Sequence, residues 1–269
     1  MVASESERRK LIVMFLWLLK ISFFAYLGFG LYLFLVQRSF MYFPVPERSG
    51  SDARVEYLTN EGESIKLWVL GPDSDSAIIY FGGNAEDVYG NVADFRAALP
   101  DHTSYLVNYR GYGGSTGSPT EASLFSDALH IYDALRERHA RITVIGRSLG
   151  SGVAAYLASE RDVHRLILAT PHDSAVAVAQ GMYPVYPVSL LLKDRYESVS
   201  YVPRIQAPTL IVLAEHDRII LRKHSTRLAE AFSPNQVEQV VIANAGHNGL
   251  SGHQQYWDAF GRFLSPGVR

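Results

Sequence analysis

The chain contains no cysteine, which removes disulfides, thiolate metal sites and a cysteine nucleophile at once. Bulk charge is also small. The formal net charge is −2, and Arg8-Arg9-Lys10 is the one run of three lysine or arginine side chains, so no nucleic-acid partner is expected. No internal repeat or low-complexity tract interrupts the 269 residues, and 48% hydrophobic content suits one large α/β domain rather than two. Histidines and carboxylates never take a zinc spacing such as H-E-x-x-H, and neither metal nor cofactor is expected.

A second absence is local. From Leu11 to Val36 the single charged residue is Lys20, in a run rich in Leu, Phe, Ile and Tyr. A bilayer core needs about 20 helical residues, so Trp17 to Val36 would span it, with Lys20 close enough to the edge to snorkel outward. A cleaved signal peptide competes, but its apolar region is about 7–15 residues long and ends at small residues, whereas Tyr32, Phe34 and Leu35 stand here. A buried core helix fits less well, because the run is apolar all the way round. Arg8, Arg9, Lys10 and Lys20 precede most of the span, while Arg38 and, further off, Arg48 follow it. That bias favours a cytoplasmic N-terminus, residues 1–10, and the rest of the chain on the non-cytoplasmic side. The expected layout is a transmembrane anchor at 11–36, a juxtamembrane connector at 37–54 carrying Pro44 and Pro46, and an α/β domain at 55–269.

What is present is a set of strand-like runs, each followed by a loop that could carry chemistry. Ile142 to Ile145 leads into Gly146-Arg147-Ser148-Leu149-Gly150, which opens a small-residue helix. This strand, G-x-S-x-G and helix sequence is what a nucleophile elbow requires. Serine is weakly nucleophilic at neutral pH and needs a base to take its proton and N–H groups to hold the oxyanion. In an α/β hydrolase the acid and then the histidine follow the serine along the chain, each beyond a strand. Thr209 to Leu213 is followed by Asp217, and Val237 to Ile242 by His247. Upstream, Ala77 to Phe81 runs into Gly82-Gly83-Asn84, where the oxyanion loop belongs, and position assigns its donors to the backbone N–H groups of Asn84 and Leu149. Glu215 and Asp173 compete with Asp217 for the acid, and His253, His216 and His172 with His247 for the base. For Ser148 the bland alternative is a tight structural turn.

The strands alternate with helical stripes, which points to a mostly parallel sheet with helices on both faces. Val88, Val92, Phe95 and Leu99 form one stripe. Leu124, Ala128, Ile131 and Leu135 form another, with Thr120 as N-cap. Val55 to Leu58 and Ile65 to Leu70 flank a turn at Asn60-Glu61-Gly62. Between Leu166 and Thr209 there is room for a small lid of one or two short helices, so an open site is expected. His172, Tyr183 and Tyr186 are the candidate substrate-binding residues, with Leu190 completing an apolar rim suited to short or medium acyl groups. Arg110 is expected to brace loops through carbonyls.

Taken together, Phe81-Gly-Gly-Asn-Ala-Glu86, the block from Asn108 through Tyr109-Arg110-Gly111-Tyr112-Gly113 to Glu121, Gly146-Arg-Ser-Leu-Gly150, Ala214-Glu-His-Asp217 and Gly246-His-Asn248 resemble the membrane-anchored α/β hydrolases related to eukaryotic protein depalmitoylases and bud-emergence-type hydrolases. The resemblance covers roughly residues 40 to 265. It implies an α/β hydrolase fold, and a serine hydrolase acting on a small-molecule or lipid-like acyl ester or thioester through Ser148, Asp217 and His247. Two departures stand out. Gly82 replaces the histidine usual in that oxyanion loop, and the loop Thr170-Pro-His-Asp-Ser174 carries a histidine and an aspartate where apolar or aromatic side chains are more common. Other readings are an amidase or peptidase of the same fold and a non-catalytic membrane-anchored scaffold.

Overall fold

The computed structural model describes residues 5–265; residues 1–4 and 266–269 of the expected terminal spans lie outside the described residues. A single helix, α1 (Glu5–Met41), extends the expected anchor in both directions and carries no buried side chain. Tyr42, directly after it, is buried in the domain, while most of the other connector residues are exposed.

Eight strands follow: β1 (Arg54–Asn60), β2 (Glu63–Leu70), β3 (Ser76–Phe81), β4 (Thr103–Val107), β5 (Arg141–Arg147), β6 (Arg165–Ala169), β7 (Thr209–Ala214) and β8 (Val237–Ile242). They form one sheet in the order β1-β2-β4-β3-β5-β6-β7-β8. β2 runs antiparallel to both β1 and β4, and the other pairs are parallel. The β1–β2 hairpin closes through Glu61 and Gly62, both at positive φ, the geometry that matches strand twist in a two-residue turn. This is the α/β hydrolase fold.

Helices α2 (Val92–Ala98), α3 (Glu121–Arg136), α4 (Leu149–Glu160), α8 (Arg222–Ala231) and α9 (Gln254–Leu264) cover the sheet. Period-2 alternation divides the core. Ala77, Ile79 and Phe81 of β3 join Leu124, Val153 and Leu228 on the α3, α4 and α8 side, while Ile78 and Tyr80 join Phe95 and Phe260 on the α2 and α9 side. The α3 stripe is wholly buried, and each leucine in it contributes about 1.5–3 kcal/mol through burial. Thr120 caps α3 in a capping box with Ser123. α9 lies against α2, with Phe95 and Trp257 edge to face at 5.4 Å.

Between β6 and β7 stand α5 (Ala175–Met182), α6 (Val188–Leu191) and α7 (Ser198–Tyr201). α5 and α6 form a hairpin that rests against α1. Tyr26 and Tyr186 stack with ring centroids 4.6 Å apart, the Tyr26 hydroxyl donates to the Val185 carbonyl at 2.9 Å, and the Tyr186 hydroxyl donates back to the Tyr26 carbonyl at 3.0 Å.

Candidate active site

Paired parallel strands set the site. Phe81 of β3 lies opposite Gly146 of β5, and Ala214 of β7 lies opposite Ile242 of β8, so the loops carrying Asn84, Ser148, Asp217 and His247 leave the same edge of the sheet. Ser148 sits between β5 and α4 at φ 50° and ψ −114°, a conformation that a non-glycine residue holds only under constraint. Space explains the flanking glycines. A Cβ on Gly146 would collide with the Gly150 carbonyl oxygen, and one on Gly150 with that of Phe81.

The serine hydroxyl lies 2.9 Å from His247 Nε2, and His247 Nδ1 lies 2.8 Å from Asp217 Oδ2. An ionised carboxylate only accepts, so Nδ1 carries the proton and Nε2 is left to accept from the Ser148 hydroxyl. Asp217 is held in turn by the N–H groups of Ile219 and Ile220, which donate to its Oδ1 at 2.9 and 2.8 Å. Among the rival acids, Glu215 accepts from the Asn244 N–H at 2.8 Å. Asp173 is paired elsewhere, with His224 Nδ1 at 2.9 Å and Arg227 at 3.4 Å. His216 is exposed beside Glu215, and His253 precedes α9 without a side-chain cap bond.

On the oxyanion side, a Cβ built on Gly83 would lie 3.9 Å from that of Ser148. Leu149 is the first residue of α4, so its N–H has no partner within the helix. The loop is braced from the tyrosine–glycine block. Tyr109 donates to the Gly82 carbonyl at 2.7 Å and Tyr112 to the Asn84 carbonyl at 2.7 Å. The Asn84 side chain reaches the end of α1, donating to the Met41 carbonyl at 2.9 Å.

Two residues missed at the level of sequence tie these loops together. Glu86 accepts from the Gly83 N–H at 2.7 Å, from the Tyr80 hydroxyl at 2.6 Å and from Asn91 at 2.6 Å. It also pairs with Arg147 at 3.3 Å, whose guanidinium donates to the carbonyls of His247 and Asn248 at 3.3 and 3.2 Å. Burial works most strongly against the Arg147 charge, yet the Glu86 carboxylate and the Tyr80 and Tyr256 hydroxyls together outweigh it and leave the guanidinium pKa raised. Both residues sit inside the quoted motifs, but nothing in their spacing shows that they meet. Arg110 needs a correction of partner. It binds Asp127 bidentately at 2.7 and 2.8 Å and Glu61 at 2.8 Å, carboxylates rather than carbonyls, because buried Asp127 itself requires a counter-charge.

Ser148 and His247 open into a cavity of about 440 Å³ lined also by His172, Tyr183 and Tyr186. His172 is buried with Nε2 unpartnered, and burial lowers its pKa to about 4. The cavity differs from the expected open rim. One wall is α1, through Gly30, Leu33, Phe34, Gln37, Phe40 and Met41, positions that share a helical face. Leu190 is not among the lining residues and stands exposed, because its neighbours Leu191 and Leu192 take the inward places.

Residues 88–248 match the protein family described as Serine hydrolase (FSH1), a span that takes in Ser148, Asp217 and His247. The chain belongs to this serine hydrolase family. Hydrolase activity follows from that membership. An uncharacterized protein of Mycobacterium tuberculosis is 33% identical to this serine hydrolase over 88% of its chain and 90% of the relative. The alpha/beta hydrolase domain-containing protein aho-3 of Caenorhabditis elegans is 30% identical over 72% of this chain and 58% of its own. Among solved structures, an esterase of Pyrococcus furiosus superposes with a TM-score of 0.67 at 19% identity, covering 83% of this serine hydrolase and 96% of the esterase.

Proposed function

We propose that the chain is a membrane-anchored serine esterase or thioesterase that acts through an acyl-enzyme on Ser148. The observation that carries this reading is the continuous relay from Ser148 Oγ through His247 to an Asp217 carboxylate that is itself fixed by two backbone N–H groups. In the proposed reaction His247 Nε2 takes the hydroxyl proton as Ser148 Oγ bonds to the acyl carbon. The carbonyl electron pair moves onto oxygen, facing the N–H groups of Asn84 and Leu149. As the carbonyl re-forms, the bond to the alcohol or thiol breaks and the imidazolium returns the proton to the leaving group. Water, deprotonated by His247, then releases the acid and restores Ser148. Asp217 fixes the imidazole tautomer and stabilises its transient charge.

His172 is proposed to contact the substrate. Its unpartnered, neutral Nε2 in the cavity wall leaves one hydrogen-bonding position for a polar group of the ligand. Tyr183 and Tyr186 supply apolar surface beside it. A fluorophosphonate probe should label the protein at Ser148 and leave Ser148→Ala unlabelled; undiminished labelling of that variant sinks the assignment.

The anchor is proposed to be a transmembrane part of α1, within Leu11 to Val36, with the connector and the catalytic domain beyond it. The cation bias around the span supports a domain on the non-cytoplasmic side. A reporter fused after Arg269 should be active only there, and activity confined to the cytoplasm would refute the orientation without touching the chemistry.

A further inference from the structure

Resting on that reading, we propose that the α5–α6 hairpin dips into the same membrane leaflet as α1, and that the cavity between them takes a long acyl chain directly from the bilayer. The argument begins with length. The last contacts between α1 and the hairpin on the N-terminal side fall at Tyr26 to Gly30. Tyr186 packs on Tyr26 and on Phe29, whose ring centroid is 6.1 Å away, and a Cβ on Gly30 would lie 2.8 Å from the Tyr186 ring.

The apolar part of α1 that projects free of the domain, Leu11 to Ala25, is about 15 residues or roughly 22 Å long. A bilayer core is about 30 Å thick. Every stretch of about 20 residues placed between Leu11 and Val36 therefore includes Tyr26 to Gly30. Whatever packs on those residues enters the hydrocarbon region with them.

The hairpin has the surface for it. Met182, Val185 and Leu190 are 60%, 70% and 82% exposed, beside an apolar face of α1 that is itself uncovered. Its backbone is satisfied where it meets the helix, since Gln180 Nε2 donates to the Tyr186 carbonyl at 3.0 Å and its Oε1 accepts from the Val188 N–H at 3.2 Å. Cations stand nearer the C-terminal end of α1. Lys193 lies over the Phe34 ring at 4.4 Å, and Arg38 pairs with Asp194 at 2.7 Å, positions suited to headgroup depth.

The cavity follows the same axis. Its α1 wall runs from Gly30, inside the leaflet, to Met41, beside the Asn84 loop, a rise of roughly 16 Å. Ala175, Val178 and Met182 of α5 face it across the cavity. A methyl-terminated chain can thus lie between α1 and α5 with its carbonyl carbon at Ser148 and never cross water. Short acyl groups would fill only the Ser148 end.

The absence of cysteine makes the test direct. Full-length Leu27→Cys, Val185→Cys and Asn235→Cys are labelled with an environment-sensitive fluorophore and reconstituted in phosphatidylcholine vesicles containing nitroxide-labelled lipid. Labels at positions 27 and 185 should both be quenched several-fold more than the label at 235, which lies before β8 at the opposite edge of the sheet. Quenching at 27 with none above the 235 level at 185 overturns the dip; equal, weak quenching at all three overturns the membrane anchor beneath it. In the same vesicles, Leu33→Trp and Val178→Trp, which fill the cavity from opposite walls, should lower the ratio of p-nitrophenyl palmitate to p-nitrophenyl butyrate turnover at least tenfold. An unchanged ratio in both overturns the acyl-chain route, and wild-type protein that neither labels nor turns over either ester overturns the hydrolase reading itself.

Discussion

The two ends of the substrate cavity are built by different means. At the Ser148 end, each functional group hangs from a strand of one parallel sheet, and positions are fixed by registers such as Phe81 opposite Gly146 and Ala214 opposite Ile242. At the far end, the wall is α1 against the α5–α6 hairpin, joined by a ring stack and two tyrosine hydroxyl bonds. The first end is rigid because hydrogen-bonded neighbours over-determine it. The second is shaped by side chains on two separate segments, so in the proposed reaction its part is to select the substrate rather than to cut the bond. Asn84 belongs to both, since its backbone lines the reactive end while its side chain holds the end of α1.

The largest expected effect breaks the relay at the reactive end. Asp217→Asn should lower kcat by about 10⁴, the loss seen when a triad acid no longer fixes the imidazole tautomer. Asp173→Asn should leave turnover within about tenfold and instead reduce stability, because the buried Asp173 carboxylate holds the buried His224 ring at 2.9 Å and the Arg227 guanidinium at 3.4 Å. Steady-state kinetics and urea denaturation of both variants separate the two roles; reversed effects would move the acid to the loop after β6.

A smaller effect probes what keeps the reactive end rigid. Arg147→Gln frees the carbonyls of His247 and Asn248 and leaves Glu86 without its counter-charge. Loss of kcat by about 10² is expected, the scale of a misplacement of about 1 Å, with KM for butyrate esters nearly unchanged. A change in KM alone would show that Arg147 shapes binding instead.

The smallest concerns stability through the cavity wall. The folded His172 pKa lies at about 4, below its ordinary 6.5. Between those values the unfolded chain binds the extra proton, so stability rises with pH across that window and is lost on acidification. His172→Gln, which cannot titrate, should flatten the dependence of the urea midpoint on pH between about 6.5 and 4. Parallel slopes for variant and wild type would place the acid sensitivity elsewhere.

These contrasts also mark what could be read from residues alone. The strands that lead into the Asn84, Ser148, Asp217 and His247 loops, the α3 stripe with its Thr120 cap, and the chain order of Ser148, Asp217 and His247 were legible, because each apolar run ends at a loop whose chemistry is local. The α1 wall was not. A helix apolar on every side gives no sign of which face will dock, and Gly30, Leu33 and Phe34 look like any other residues of an anchor. Gln37, placed in the connector, turns out to bond the Leu191 carbonyl and the Lys193 N–H. The Glu86–Arg147 link was hidden for a related reason: two segments far apart in the chain meet only because β3 and β5 are neighbours, which no spacing encodes. Arg110 was assigned a structural role with the wrong partners, since a guanidinium binds carbonyls and carboxylates alike.

The central claim is that the acyl group passes through Ser148. Intact-mass spectrometry after rapid mixing of the full-length protein with p-nitrophenyl butyrate, followed by acid quench and peptide mapping, measures this directly. The account predicts a transient mass increase of one butyryl group, located on the peptide containing Ser148 and absent from Ser148→Ala. Acylation of any other residue during turnover, or turnover by Ser148→Ala at the wild-type rate, would contradict it.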